Sequence, residues 1–109
     1  MGKSQVRKVE ELEFKTRAEF DQYIKDRGKE LSIAIVDGII KNYNRKKKHV
    51  HVVSIFIEEE DNIYDLTVDR EQFLSTLEQN LDTLLEHELY EKCAEGKELI
   101  DIIKNKENE

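Results

Sequence analysis

The sequence predicts an α+β fold: a small antiparallel sheet in β-α-β-β-α order, packed on a buried central helix, with a long helix or helical hairpin at the C-terminus. Three observations carry this expectation. The run HVHVVSIFI is dense in β-branched residues and is followed, after an acidic turn, by the alternating stretch IYDLTV. The stretch LSIAIVDGII is apolar almost all round at helical spacing, the mark of a helix buried on several faces. From Phe73 onward, apolar residues recur at intervals of three and four as far as Ile103.

A chain of 109 residues suits one domain, 1–109, in which residues 8–69 form the β-α-β-β part and 70–104 the helical region. Residues 1–7 and 105–109 are polar and expected to be loose. Hydrophobic residues make up 38% and charged residues 39%, so the chain is highly charged yet carries enough core-formers for one modest core. Proline is absent and only four glycines occur, which favours long uninterrupted elements. The lone cysteine cannot form an internal disulfide and no apolar leader follows Met1; both point to a reducing, cytoplasmic setting. The longest apolar run is far short of a membrane span, so no membrane partner is expected. The net charge of −7 conceals an asymmetry: residues 1–50 hold 13 Lys/Arg against 8 Asp/Glu, whereas residues 51–109 hold 5 against 17. Such a chain either presents opposite charges to partners or folds its halves against each other.

Taken in order, VEELEFK sets Leu12 and Phe14 on one face and Glu11 and Glu13 on the other, a short half-buried strand. Thr16 and Glu19 have capping-box spacing, so a helix starts there with Phe20, Tyr23 and Ile24 as its stripe. Arg27-Gly28-Lys29 marks a kink or short break. The central helix follows from Leu31 to Tyr43, with Asp37 the lone charge within its apolar stretch LSIAIVDGII and Gly38 allowing another backbone to approach. Arg45 to Lys48 supplies cations at its carbonyl end. In the next strand, strict alternation puts His49, His51, Val53, Ile55 and Ile57 on one face and Val50, Val52, Ser54 and Phe56 on the other. Glu58 to Asn62 makes the turn of a hairpin whose second strand faces Tyr64, Leu66 and Val68 inward. Asp69, with Gln72 three residues on, reads as a second N-cap.

Candidate chemistry is thin. A reactive cysteine needs a cation, a helix N-terminus or a base nearby. Cys93 has glutamates around it, and His87 falls on another side of an unbroken helix, so Cys93 reads as a packing residue. His49 and His51 have the spacing of two metal ligands on a strand face but no evident third, and no metal or other cofactor is expected. The acidic run Glu58 to Asp61 lacks the alternation and turn glycine of a calcium loop. No nucleophile elbow, HExxH, phosphate loop or CxxC pair occurs, so the sequence predicts no enzyme and no small-molecule substrate. Arg45, Lys46, Lys47 and Lys48, with His49 and His51 beside them, form the one basic patch, suited to phosphates or to an acidic protein.

Leu81 to Ile103, LDTLLEHELYEKCAEGKELIDII, resembles the UVR motif, a protein-binding module of excision-repair subunits and of unrelated bacterial proteins. Glu88, Tyr90, Glu91 and Ala94 match its pattern, Cys93 stands at its first small position and Ile100 at its late aliphatic one. Gly96 and the pair Lys97-Glu98 depart from it. The resemblance implies an antiparallel two-helix hairpin turning near Glu86 to Leu89, with Leu81, Leu84 and Leu85 against Tyr90, Cys93 and Ala94. It implies protein binding, often by pairing of similar hairpins, and no catalysis.

The sequence therefore predicts a non-enzymatic interaction or assembly protein, self-associating or bound to another protein through Leu84, Leu85, Leu89, Tyr90, Ile100 and Ile103. The alternative is a nucleic-acid accessory protein using Arg45 to His51. The proline-free, Lys/Glu/Asn-rich composition also suits a small structural or accessory protein of a bacterial virus, placed in the virion rather than the cytoplasm.

Overall fold

The computed structural model describes residues 10–107. The expected looseness of residues 1–7, the start of the first strand at Val9 and the last two residues lie outside that range. Three strands, β1 (Glu10–Phe14), β2 (His49–Ile57) and β3 (Asn62–Asp69), accompany four helices, α1 (Arg17–Lys25), α2 (Lys29–Asn42), α3 (Phe73–Glu86) and α4 (Tyr90–Glu107). Short 3-10 turns cover Tyr43–Arg45, Glu58–Glu60 and Arg70–Gln72. The architecture is α+β, with sheet order β1-β2-β3. β2 and β3 pair antiparallel, as the alternation predicts, but β1 joins β2 in parallel and the sheet is mixed. The reason is the connection: two helices lie between β1 and β2, and such a crossover carries the chain back to the end of the sheet at which β1 began.

The alternation expected along β2 breaks at one residue. His51 pairs with Thr67 and Val53 with Leu66, the next residue of β3, so Val52 is an extra residue in the ladder. Before this bulge Val50 and Val52 face the helices; after it Val53, Ile55 and Ile57 do. All five are buried. The outer face collects His49, His51, Ser54 and Phe56. A strand that reads apolar on both faces thus buries one continuous apolar face by shifting register once.

α2 lies on that face. Ala34, Ile35, Val36 and Ile39 are buried there with Val50, Val52, Val53, Val68, Phe73, Leu77 and Leu84. Gly38 allows the approach: a Cβ added to it would sit 2.7 Å from Val52 Cγ1 and 3.3 Å from Val52 Cα. α3 and α4 form an antiparallel hairpin against α2, bringing Leu81 next to Gly96 and Glu78 within 3.4 Å of Lys104. Burying side chains such as Phe73, Leu77 and Leu84 contributes about 1.5–3 kcal/mol each. α4 runs to Glu107, into the stretch 105–109 expected to be loose; Ile103 anchors it in the core, and Lys104 and Lys106 suit its carbonyl end.

Local signals fix most helix ends. The Thr16 hydroxyl accepts from the Glu19 N–H at 3.1 Å, while the Glu19 carboxylate takes the Lys15 N–H rather than that of Thr16. α1 ends with Arg27 in the left-handed region (φ 55), the Arg27 N–H donating to the Ile24 carbonyl and the Gly28 N–H to that of Tyr23. α3 ends in the same motif on Glu88 (φ 59), with bonds from Glu88 to Leu85 and from Leu89 to Leu84. The expected N-cap at Asp69 does not form: its carboxylate is held by His49, and α3 begins only at Phe73 after a 3-10 turn. Ile24, assigned to an apolar stripe, is exposed.

Candidate functional site

The chemistry-bearing residues fall into four groups, and long-range contacts decide what each can do. At the α2–β2 connection, Arg45, Lys46, Lys47 and Lys48 are all exposed, and none forms an ion pair among the described residues. They are not the cations that close α2. That position belongs to Arg70, in the turn after β3. Its Nη2 donates to the Tyr43 carbonyl at 2.7 Å and its Nε to the Lys47 carbonyl at 2.9 Å. Its backbone N–H donates to the Lys48 carbonyl at 2.7 Å, and its guanidinium lies 5.4 Å from the Tyr43 ring centroid and 5.2 Å from that of Phe73. A cation on the last carbonyls of a helix satisfies both their lone pairs and the dipole. The basic loop therefore has a pinned backbone and free side chains. His49 is outside that set, its Nδ1 lying 2.6 Å from Asp69 Oδ1.

On the outer sheet face His51, Ser54 and Asp65 meet. Ser54 Oγ donates to Asp65 Oδ1 at 2.8 Å, and His51 Nε2 lies 3.0 Å from Ser54 Oγ and 3.2 Å from the Val53 carbonyl. The residue types are those of a hydrolase triad, but the order is wrong. A nucleophilic serine gives its proton to an imidazole whose other nitrogen the carboxylate holds. Here the carboxylate takes the serine proton directly, and Nε2 faces two further acceptors, the Val53 carbonyl and the Asp65 carboxylate. Ser54 is buried beneath this network, which joins β2 to β3 rather than activating a nucleophile.

The acidic turn is also engaged. Glu59 accepts the Arg17 backbone N–H at the start of α1, at 2.8 Å. Glu60 takes the Arg17 guanidinium through two bonds of 2.8 and 2.9 Å and the Tyr64 hydroxyl at 2.6 Å. These contacts hold the Glu60 carboxyl below its ordinary range, Arg17 first and Tyr64 second. The turn is an N-terminal cap for α1, supplied from across the molecule.

At the hairpin turn, His87 Nε2 lies 2.8 Å from the Arg27 carbonyl and Arg27 pairs with Glu86 at 2.5 Å, so the α3–α4 corner is clamped to the α1–α2 corner. Cys93 faces Leu81, with Sγ 4.0 Å from its carbonyl oxygen, and burial pushes the thiol pKa up. Desolvation, rather than the glutamates, is the cause. Of the six partner-binding candidates, Leu84, Ile100 and Ile103 lie in the core and Leu89 is half-buried. Leu85 and Tyr90 flank the turn, 51% and 63% exposed. Leu85, Tyr90 and Ala94, which the UVR resemblance sets together, are all exposed. Leu81, by contrast, sits against Cys93 and Gly96.

Exposed Ile102 on α4, absent from the sequence reading, lines a groove of ≈ 470 Å³ with Ile40, Tyr43, Leu99, Glu95, Glu98 and Lys106. Its place in the apolar run Leu99-Ile100-Asp101-Ile102-Ile103 masks it; only the helical phase set by buried Leu99, Ile100 and Ile103 separates it from the core set. Among the described residues no three His, Cys, Asp or Glu side chains converge as metal ligands. None of the described helices is long and apolar enough to cross a membrane. Compared with protein-family models, curated proteins and solved structures, the chain matches none.

Proposed function

We propose that this is a non-enzymatic interaction or assembly protein that presents the turn of its α3–α4 hairpin to a protein partner. One observation carries the reading: Leu85 and Tyr90 stand exposed on either side of a turn that the two carbonyl bonds from Glu88 and Leu89 and the His87–Arg27 clamp hold in place. Rigid apolar anchors lose little entropy on docking, and a tyrosine contributes both area and a hydroxyl. Glu88 and Glu91, both exposed, ring the anchors, so the matching surface is apolar with a Lys/Arg rim. The helix break between Glu86 and Tyr90 and the placing of Cys93 against Leu81 support the UVR-like reading of this hairpin. The engaged states of His49, His51 and His87 and the desolvated thiol of Cys93 support a role without catalysis. The composition supports a place among the small accessory or structural proteins of a bacterial virus, working in the cytoplasm or the virion.

The test is affinity capture from the source cells with wild type, Leu85→Asp, Tyr90→Asp and a loop variant with Arg45 to Lys48 changed to Gln. A partner held by wild type and the loop variant but lost from both turn variants supports the reading. A partner retained by both turn variants overturns it.

A second reading is favoured by the four free cations on a pinned loop: contact with the phosphates of a nucleic acid through Arg45, Lys46, Lys47 and Lys48. His49 and His51, bound to Asp69 and to the Ser54–Asp65 pair, fall outside it. Such binding weakens steeply with salt. A salt-titrated gel shift unchanged by neutralising the four residues removes it.

A further inference from the structure

One stripe of α4 changes character along its length. Glu91, Glu95, Glu98, Ile102 and Lys106 follow at spacings of four, three, four and four, which places them on one side of the helix. Read from the hairpin turn, the stripe is acidic, then apolar, then basic. Its last four members face the groove between α2 and α4, whose apolar lining is Ile40, Tyr43, Leu99 and Ile102. Ile102 is 43% exposed, an uncovered aliphatic group at the middle of this pattern. Glu98 and Lys106 form no ion pair among the described residues; the Lys104–Glu78 bridge lies on the α3 side of the helix.

The pattern is self-complementary with inverted charge. Ile102 stands four residues from both Glu98 and Lys106, about 6 Å of helix rise each way. A two-fold axis through Ile102, perpendicular to α4, lays a second α4 antiparallel on the first. It sets Ile102 on Ile102, Lys106 on Glu98 of the second copy, and Glu98 on Lys106 of the second copy. Isologous contacts of this kind are the commonest route to a closed oligomer. A basic foreign helix would complement the acidic turns but would set like charge on Lys106; a second copy satisfies both ends.

We infer that the α2–α4 groove is a homodimer interface, closed by antiparallel pairing of the Glu98–Ile102–Lys106 stripe with its own copy. This goes beyond the hairpin-turn reading and uses a different face, so the two can fail separately.

The experiment is sedimentation velocity on the full chain from about 5 to 200 μM, for wild type, Ile102→Asp, Glu98→Lys, Lys106→Glu, the double swap E98K/K106E, and Leu85→Asp. Wild type is expected to be dimeric and Ile102→Asp monomeric. Each single charge reversal should weaken association about tenfold or more, because it faces like charge across the axis. The double swap should recover to within about threefold of wild type, since each introduced lysine then meets the glutamate introduced on the second copy. Leu85→Asp should leave the dimer intact. A wild-type monomer at 200 μM overturns the inference. So does a dimer indifferent to Ile102→Asp, or a double swap as weak as its parents. Circular dichroism guards against loss of fold, and Glu98→Lys, at an exposed position, carries the test if Ile102→Asp fails to fold.

Discussion

Arg70 offers the sharpest test of how this fold is held, because the sequence assigns its task to other cations. Replacing it with alanine removes guanidinium bonds of 2.9 and 2.7 Å to the Lys47 and Tyr43 carbonyls and its stacking near Tyr43 and Phe73. Hydrogen bonds to charged groups contribute about 1.5–3 kcal/mol each in favourable sites. Arg70 is half-buried and water can reach the freed carbonyls, so the lower end applies, near 1.5 kcal/mol per bond. The ring contacts add about 0.5–1 kcal/mol. Arg70→Ala should therefore cost about 3.5–4 kcal/mol, a fall in Tm on the order of 14–20 °C for a domain of this size. Arg70→Lys keeps the charge but not the fork, and should cost about half as much. Lys47→Ala and Lys48→Ala should each stay within about 0.5 kcal/mol of wild type, as exposed substitutions do. Urea denaturation followed by circular dichroism gives all four values. An Arg70→Ala variant within about 0.5 kcal/mol of wild type, or lysine variants as costly as Arg70→Ala, would refute this assignment.

Other outcomes follow from the same geometry. Gly38→Ala should destabilise by about 1–3 kcal/mol, because the added methyl meets the β-branched Val52 side chain 2.7 Å away with its backbone close behind; chemical denaturation checks it. Glu88→Gly should stabilise by up to about 1 kcal/mol, since φ 59 suits glycine and strains other residues, with a raised Tm as the readout. Burial raises the Tyr23 pKa from its ordinary 10.0, and the protonated hydroxyl both donates to Glu30 and accepts the Leu31 N–H. Its stability contribution is complete below pH 10 and fades as pH climbs through the raised value. Glu30 has a lowered pKa, chiefly through a backbone N–H and then Tyr23, so its contribution is present above 4.5 and lost as pH falls through the depressed value. Tyr23→Phe should cost about 1 kcal/mol at neutral pH and flatten the alkaline decline, seen in urea midpoints between pH 7 and about 11.

Local grammar in the sequence reached local structure. The Thr16 cap, the break at Arg27-Gly28, the β2–β3 hairpin and the close approach at Gly38 all rest on neighbouring residues or on periodicity, and all appear. The side of the sheet to which β2 turns could not be read, because the bulge at Val52 shifts the phase midway along the strand and the apolar residues on both sides conceal the shift. β1 pairs in parallel because two helices intervene; both helices are legible in the sequence, but the strand pattern itself carries no direction of pairing. The functions of the polar residues were the least legible. Arg17 reaches Glu59 across 42 residues, Arg27 reaches Glu86 across 59 and Arg70 reaches Tyr43 across 27. Each ties a helix end to an element remote in sequence, so no local motif marks it. The same separation explains the site residues: Leu84, Ile100 and Ile103 share the periodicity of Leu85 and Ile102, and only the packed phase of the hairpin divides core from surface.

The claim that the hairpin turn is the working surface is tested most directly by a photo-reactive benzoylphenylalanine at position 90, a large aromatic replacing an exposed one. Irradiated in the source cells, it should give one discrete protein adduct that disappears when Leu85→Asp is added. The same probe at position 47 should give no such adduct. No adduct at 90, with one at 47 to protein or nucleic acid, contradicts the account.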